Sequence, residues 1–197
     1  VRRIAPSLIR YTEATPVEIW KRAPGPLPSM EVAGPAVEVR LVEPPADGDL
    51  RVAAACLVEK RGGSFLAALE ALRGTPGAAA ELLQELREHV GMHDPMPRGF
   101  EMVRLDFDLV CSASCFAQLK RHRIATVIPG PYDPALGITV PPHVKEAGAG
   151  GILHRHADLA GALFHRLSGE LGPHVGAYAL TNAHRRRVLF SCHLREL

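Results

Sequence analysis

The chain has 197 residues, enough for one domain with a sizeable core and a small appendage. Its 23 lysines and arginines against 21 aspartates and glutamates give a formal charge of +2, which is too small for a surface that binds nucleic acid non-specifically. The apolar runs are far shorter than the roughly 20 residues that cross a bilayer. With four cysteines and no recognisable signal peptide, the sequence predicts a cytoplasmic protein with reduced thiols.

The chain divides into an N-terminal segment over residues 1–35 and a main domain over residues 36–197. Apolar residues at Ile4, Leu8 and Ile9 predict a short amphipathic helix near the start. Residues 22–35 are rich in proline, which fixes φ and removes backbone donors, so we interpret them as a linker.

The first half of the main domain reads as a strand, three helices and a second strand. Alternating residues over 37–42 predict a half-buried strand, and helical periodicity follows over 50–60, 64–73 and 75–90. Thr75 and Pro76 are expected to begin the third helix as N-cap and first-turn proline. Residues 100–109 have a clean period of two and predict the second strand.

The second half begins with Ser112 as the predicted N-cap of a helix whose C-terminal end delivers the basic residues 120–123. A proline-rich stretch follows, with helices near 143–147 and 156–171, a glycine-rich turn over 148–151 and a final strand over 188–192. The pattern predicts an α+β fold, an antiparallel sheet packed with helices.

Two groups of residues could suggest a metal site. Cys111 and Cys115 are four apart, which predicts one helix face and would suit zinc, but no second ligand pair lies nearby. His154 and His156 are interpreted as part of a solvated loop that begins a helix. We therefore predict no metal site and interpret the cysteines as structural thiols.

The basic residues cluster at 120–123 and at 185–187, which are the places to look for a phosphate site. Arg121, His122 and Arg123 follow Gln118 at a helix end and could together hold a phosphate or an electron-rich ring. The alternative is a solvated basic cluster that only stabilises the helix dipole. The residues alone leave both interpretations open.

The Arg121-His122-Arg123 element resembles the R-H-R that opens the signature R-H-R-x-x-S-x-N-E-x-S-x-R-Y of the flavin-dependent thymidylate synthases. The likeness extends to a Gly-His-like element at residues 91–93 and to the strand that follows it. The segments 178–181 and 193–197 resemble the Y-x-L-P and N-x-R-x-L segments of that family. This resemblance covers most of the chain.

The resemblance implies reductive methylation of dUMP to dTMP, with FAD, NADPH and methylenetetrahydrofolate, in assemblies of like domains. By position it implies that FAD is bound by a set of five residues: His93, Arg121, His122, Arg123 and Arg195. It assigns no catalytic residue, because the flavin does the difficult step.

The chain departs from the family pattern on the nucleotide side. Where the family has hydrogen-bonding and charged groups, this chain has Thr126, Ile128, Pro129, Pro131, Asp133, Pro134, His174, Ala177 and His193. We therefore expect a degenerate copy with a weakened dUMP site, or a non-catalytic assembly domain beside an active copy. Residues 1–9 resemble the end of family members, so we expect the second copy of a tandem duplication.

Overall fold

The computed structural model describes residues 38–42 and 44–197. The predicted N-terminal helix, the linker and the tandem-copy hypothesis concern residues outside these ranges, and they stay predictions. No helix among the described residues is long and apolar enough to cross a membrane.

Four antiparallel strands form a single sheet within the described ranges. Its strands are β1 (Val39–Leu41), β2 (Arg104–Ser112), β3 (Thr126–Tyr132) and β4 (Arg185–His193), and their spatial order is β1-β2-β4-β3. β2 and β4 pair along their whole length, from Arg104 opposite His193 to Ser112 opposite Arg185. The two long central strands thus come from distant parts of the chain.

Helices fill the connections between the strands. They are α1 (Gly48–Arg61), α2 (Phe65–Arg73), α3 (Ala78–His89), α4 (Ala113–Leu119), α5 (Pro142–Glu146), α6 (Gly150–Leu171) and α7 (Pro173–Gly176). Short 3₁₀ helices lie at Arg98–Met102, Pro134–Leu136 and Ala177–Ala179. The α+β class predicted from the sequence is confirmed.

The core lies where α1 packs against its neighbours. One cluster joins Ala53 and Ala54 of α1 to Leu69 and Leu72 of α2. A second joins Val52 and Cys56, on another face of α1, to Val103 at the start of β2. Because α1 contacts α2 on one face and the residue before β2 on another, it joins the helices to the sheet. Burial of apolar surface in both contacts stabilises the fold.

Most predicted helices are confirmed, but their boundaries needed correction at two places. Thr75 is not an N-cap: its hydroxyl donates to the carbonyl of Ala71 in the preceding helix, and α3 begins after Gly77, whose φ is +86°. Gly150 and Gly151 are not a turn, because they form the first residues of α6.

The strand predictions needed three corrections. β1 is not half-buried but exposed at every residue, as an edge strand can be. The second strand begins at Arg104, because residues 98–102 form a 3₁₀ helix. The proline-rich stretch after Arg123 contains the strand β3, which tolerates Pro129 and Pro131 because it is an edge strand with a bulge beside them.

Candidate functional site

The predicted site begins at the C-terminal end of α4. The helix starts where the Ser112 side chain accepts a hydrogen bond from the Cys115 amide at 3.2 Å, which confirms the predicted cap. It ends at Leu119, so Arg121, His122 and Arg123 lie in the exposed turn before β3. Positive charge is favourable there because the helix C-terminus carries a partial negative charge.

The two arginines of this turn keep their positive charge uncompensated. Arg121 donates to the neutral side-chain oxygen of Gln118 at 2.8 Å. Within residues 38–42 and 44–197, no carboxylate lies within 4.0 Å of the Arg121 or Arg123 guanidinium group. The turn is therefore a small exposed cationic surface, suited to an anion.

His122 is held in place between β4 and the last residues of the chain. Its Nδ1 lies 3.4 Å from the Glu196 carboxylate, and its ring meets the Phe190 ring edge to face, with centroids 6.2 Å apart. The Glu196 side chain is only 17 % exposed. These contacts bring the turn after α4 against the segment that contains Arg195.

Arg195 is committed to neighbours within the protein. Its Nε donates to the Met96 carbonyl at 2.8 Å, and its guanidinium pairs with the Glu101 carboxylate at 2.6 Å. The pKa of Glu101 is lowered because Arg98, and to a smaller extent Arg195, donate hydrogen bonds to its carboxylate. Arg195 therefore ties the C-terminal segment to the 3₁₀ helix Arg98–Met102, and its guanidinium is already paired with a carboxylate that Arg98 shares.

His93 lies exposed in the turn that follows α3, where the Gly91 amide donates to Asp94. This turn leads directly to Met96, the residue whose carbonyl Arg195 holds. The structure thus places the His93 segment beside Arg195, and the segment of Arg195 beside His122. No hydrogen bond joins the His93 side chain to any other described residue.

The second basic cluster is not a phosphate site, because all three arginines of residues 185–187 have partners inside the sheet. Arg185 pairs with Glu38 at 2.9 Å, and Arg187 lies 3.7 Å from Asp108. The Arg186 guanidinium lies between two aromatic rings, 4.6 Å from the centroid of Phe116 and 4.3 Å from that of Tyr132, and donates to the Gly130 carbonyl. These arginines hold the sheet edges together.

A cavity of about 500 Å³ is lined by two of the positions at which the chain departs from the family pattern, His174 and Ala177. Tyr132 of β3 lines it together with His174, Ala177 and Tyr178. Its other lining residues are Ala113, Leu180, Thr181 and Asn182, so neither lysine nor arginine lines it. Nearby, the Asp133 carboxylate accepts from the Ala135 amide at 2.9 Å and caps a 3₁₀ helix. Among the described residues that line this cavity, His174 is the one whose side chain could carry a positive charge.

The prediction that Cys111 and Cys115 share a helix face is wrong. Cys111 is in β2 and Cys115 is in α4, because the helix begins only after Ser112. Burial raises the pKa of the Cys111 thiol to about 11. In the part of the chain that the structure describes, no group of three or more histidine, cysteine or acidic side chains is placed to hold a metal ion.

Two residues that organise the site escaped the sequence analysis. Glu196 meets His122 across 74 residues of chain, and Glu101 meets Arg195 across 94. No local pattern signals such pairs. The one local signal is that Glu101 is charged and lies at the edge of the alternating segment 100–109, which predicts a strand that includes it.

Comparisons with known proteins identify the fold. No family model and no curated protein sequence matches the chain. Among solved structures, the UMP/dUMP methylase PolB from Streptomyces cacaoi bound with 5-Br dUMP has a TM-score of 0.59 at 17% identity, covering 80% of this chain and 73% of that one. The flavin-dependent thymidylate synthase ThyX from Helicobacter pylori with FAD and dUMP has a TM-score of 0.53 at 16% identity, covering 81% and 79%.

A second structure of the Helicobacter pylori enzyme complexed with FAD and dUMP gives a TM-score of 0.52 at 14% identity. Likeness at these identities establishes the fold. The chain has the fold of the flavin-dependent thymidylate synthases, which confirms the resemblance drawn from the Arg121-His122-Arg123 element.

Proposed function

We propose that this chain is a degenerate flavin-dependent thymidylate synthase domain that binds FAD at Arg121, His122 and Arg123 and does not methylate dUMP by itself. One contrast carries the proposal. As far as the described residues go, the turn after α4 has two guanidinium groups without an acidic partner, while the cavity beside Tyr132 has neither lysine nor arginine in its lining. The flavin side of the fold is thus equipped for an anion, and the nucleotide side is not.

The cationic turn fits FAD by its chemistry. A dinucleotide cofactor carries a diphosphate, and guanidinium groups bind phosphate oxygens through paired charge-assisted hydrogen bonds. His122 adds a ring whose orientation is fixed by Glu196 and Phe190. When bound, the flavin would supply the hydride of a reductive methylation. The Helicobacter pylori enzyme of the same fold is described with FAD and dUMP.

The nucleotide side supports the loss of dUMP turnover. A charge-assisted hydrogen bond contributes about 1.5 to 3 kcal/mol, and each 1.4 kcal/mol is tenfold in affinity. At the family's charged positions before the Y-x-L-P segment this chain has His174 and Ala177. The Asp133 carboxylate already accepts a hydrogen bond from the Ala135 amide as the cap of a 3₁₀ helix. NADPH and methylenetetrahydrofolate are therefore expected only at a copy with a complete nucleotide site.

Arg195 has a positioning role in this proposal. Its guanidinium would have to leave Glu101 and the Met96 carbonyl before it could contact a flavin. We assign it to holding the C-terminal segment, including Glu196, against the turn that bears His122. The hydrogen bond from Arg195 to the Met96 carbonyl also holds the segment that contains His93, because that segment leads directly to Met96.

The test of flavin binding is an absorbance titration of the purified protein with FAD. Arg121→Ala should weaken FAD binding at least about tenfold, as expected for the loss of one charge-assisted contact. Arg61→Ala is the matched control, because Arg61 is an exposed arginine in the last turn of another helix, α1. If the wild-type protein takes up no FAD, even with dUMP present, the flavin proposal fails and the assembly function remains.

An apolar stripe on α6 favours association with like domains as a second function. Ile152, Leu159 and Leu163 occupy positions i, i+7 and i+11, hence one helix face, and are 52%, 70% and 37% exposed. Such a stripe on a surface helix is typical of a contact with another protein chain. Leu159→Glu should reduce the mass measured by light scattering, whereas Leu66→Glu, at an equally exposed leucine of α2, should not. An unchanged mass in both variants would remove this second function.

A further inference from the structure

A second cavity lies between α6 and the loop that follows β3. Its volume is about 330 Å³, within the range of small-molecule sites. The loop wall is fixed by backbone hydrogen bonds to the start of β4, from the Thr139 amide to the Ala183 carbonyl and from the Arg185 amide to the Gly137 carbonyl. Between these bonds lies His184, which is 2% exposed and lines the cavity.

The His184 ring is held in a single tautomer by its hydrogen bonds. Its Nδ1 accepts from the Thr181 backbone amide at 3.0 Å, and the Thr181 hydroxyl lies 3.0 Å from the same atom. A backbone amide can only donate, so Nδ1 carries no proton and the ring proton is on Nε2. Within the described residues no hydrogen-bond acceptor pairs with Nε2–H. The ring thus leaves a donor available for a ligand on a residue that lines the cavity.

The opposite wall comes from α6 and brings the complementary groups. Asp158 lines the cavity and forms no ion pair with the part of the chain that the structure describes. His154 and His165 add two planar rings, at positions i−4 and i+7 from Asp158 on the same helix face. Between helix and loop, Gly161 has no side chain, and a Cβ there would come within 3.8 Å of Pro134. Helix α6 and the loop therefore approach each other at Gly161 to within the width of one methyl group.

We propose that this cavity binds a small aromatic nitrogen heterocycle that carries an amino group. A ring nitrogen of the ligand accepts from His184 Nε2–H, and the amino group donates to the Asp158 carboxylate. The apolar loop residues Pro134 and Ile138 cover the ring faces. The site is separate from the turn that bears Arg121, and it does not depend on whether FAD binds there.

The test uses 4-aminopyrimidine as the probe and pyrimidine as its partner that lacks only the amino group. In protein labelled with ¹⁵N-histidine, we expect the His184 Nε2–H signal to identify this tautomer and to shift saturably as 4-aminopyrimidine is added near neutral pH. Pyrimidine should bind at least about tenfold more weakly, because it offers no donor to Asp158. Equal affinities for the two probes would overturn the proposed role of Asp158, and no saturable shift up to roughly 10 mM would overturn the site.

Two glycine variants of α6 distinguish binding in the cavity from binding elsewhere. Gly161→Leu fills the gap beside Pro134 and should abolish the shift. Gly169→Leu is the matched control on the same helix, because a Cβ at Gly169 meets nothing within 4 Å. Both changes raise helix propensity, so the fold should persist, and circular dichroism checks this. Loss of binding in both variants, or in neither, would place the probe outside this cavity and contradict the proposal.

Discussion

Gly99→Ala is a sharp test of how the 3₁₀ helix Arg98–Met102 packs on α1. A Cβ at residue 99 would come within 2.6 Å of the Cys56 sulfur and 2.9 Å of the Cys56 backbone nitrogen. Ordinary van der Waals contact begins near 3.4 Å, so the 3₁₀ helix or α1 must move by several tenths of an ångström. Cys56 belongs to the core cluster that includes Val52 and Val103, so this movement disturbs the core.

Overpacking of this kind costs about 1 to 3 kcal/mol. In a domain of this size each kcal/mol lowers Tm by about 2 to 4 °C, so Gly99→Ala should lower Tm by roughly 2 to 12 °C in a thermal melt followed by circular dichroism. Gly169→Ala is the control: it lies in open space within α6 and should stabilise the helix by about 0.5 to 1 kcal/mol. A Gly99→Ala protein that melts with the wild type would refute the close packing described above.

Two further predictions concern titratable groups. Because Arg98 and Arg195 lower the pKa of Glu101, its carboxylate stabilises the folded protein above the ordinary glutamate pKa, and this stabilisation is lost as pH falls through the lowered value. The Tm difference between wild type and Glu101→Gln should therefore be largest near neutral pH and shrink progressively as the pH falls below the ordinary glutamate pKa of about 4.3; a difference independent of pH would contradict the ion pair. Burial raises the pKa of Cys111 to about 11 and raises the pKa of Cys56 and Cys192 as well, so a maleimide at pH 8 should label exposed Cys115 first, as peptide mass spectrometry would show. Fast labelling of Cys111 in the folded protein would contradict the raised pKa of its thiol.

The features predicted correctly from the sequence are those set by local chemistry. Ser112 caps α4 because its side chain needs only an amide three residues away, and the residues around it decide that contact. The helices predicted over 50–60 and 64–73 from their local periodicity appear as α1 and α2. The basic turn at Arg121 follows from where α4 stops.

The strand β3 could not be predicted from the sequence, because strand propensity depends on position in the sheet. Pro129 and Pro131 would break a central strand, since each lacks the amide that a second neighbour requires. In this fold β3 pairs only with β4, and the register shifts between Pro129 and Tyr132. Nothing local to the proline-rich stretch could reveal that it would become an edge.

The partners of the arginines were equally hidden from the sequence. In the sequence, residues 185–187 are a place to look for a phosphate site, yet the pairing of β4 with two strands brings each arginine to an acid, a carbonyl or an aromatic ring. Arg195 is paired with Glu101 in the same way. Which cations stay available to a ligand is therefore a property of the folded sheet, and it separates Arg121 and Arg123 from the other candidates.

The central claim is that the flavin side of this domain works while its nucleotide side does not. The most direct measurement is a single absorbance titration in which FAD is added to the protein first and dUMP second. We predict saturable FAD binding, with no change in the flavin spectrum on adding dUMP and no dTMP formed when NADPH and methylenetetrahydrofolate follow. A spectrum that responds to dUMP, or dTMP production by this chain alone, would contradict the account.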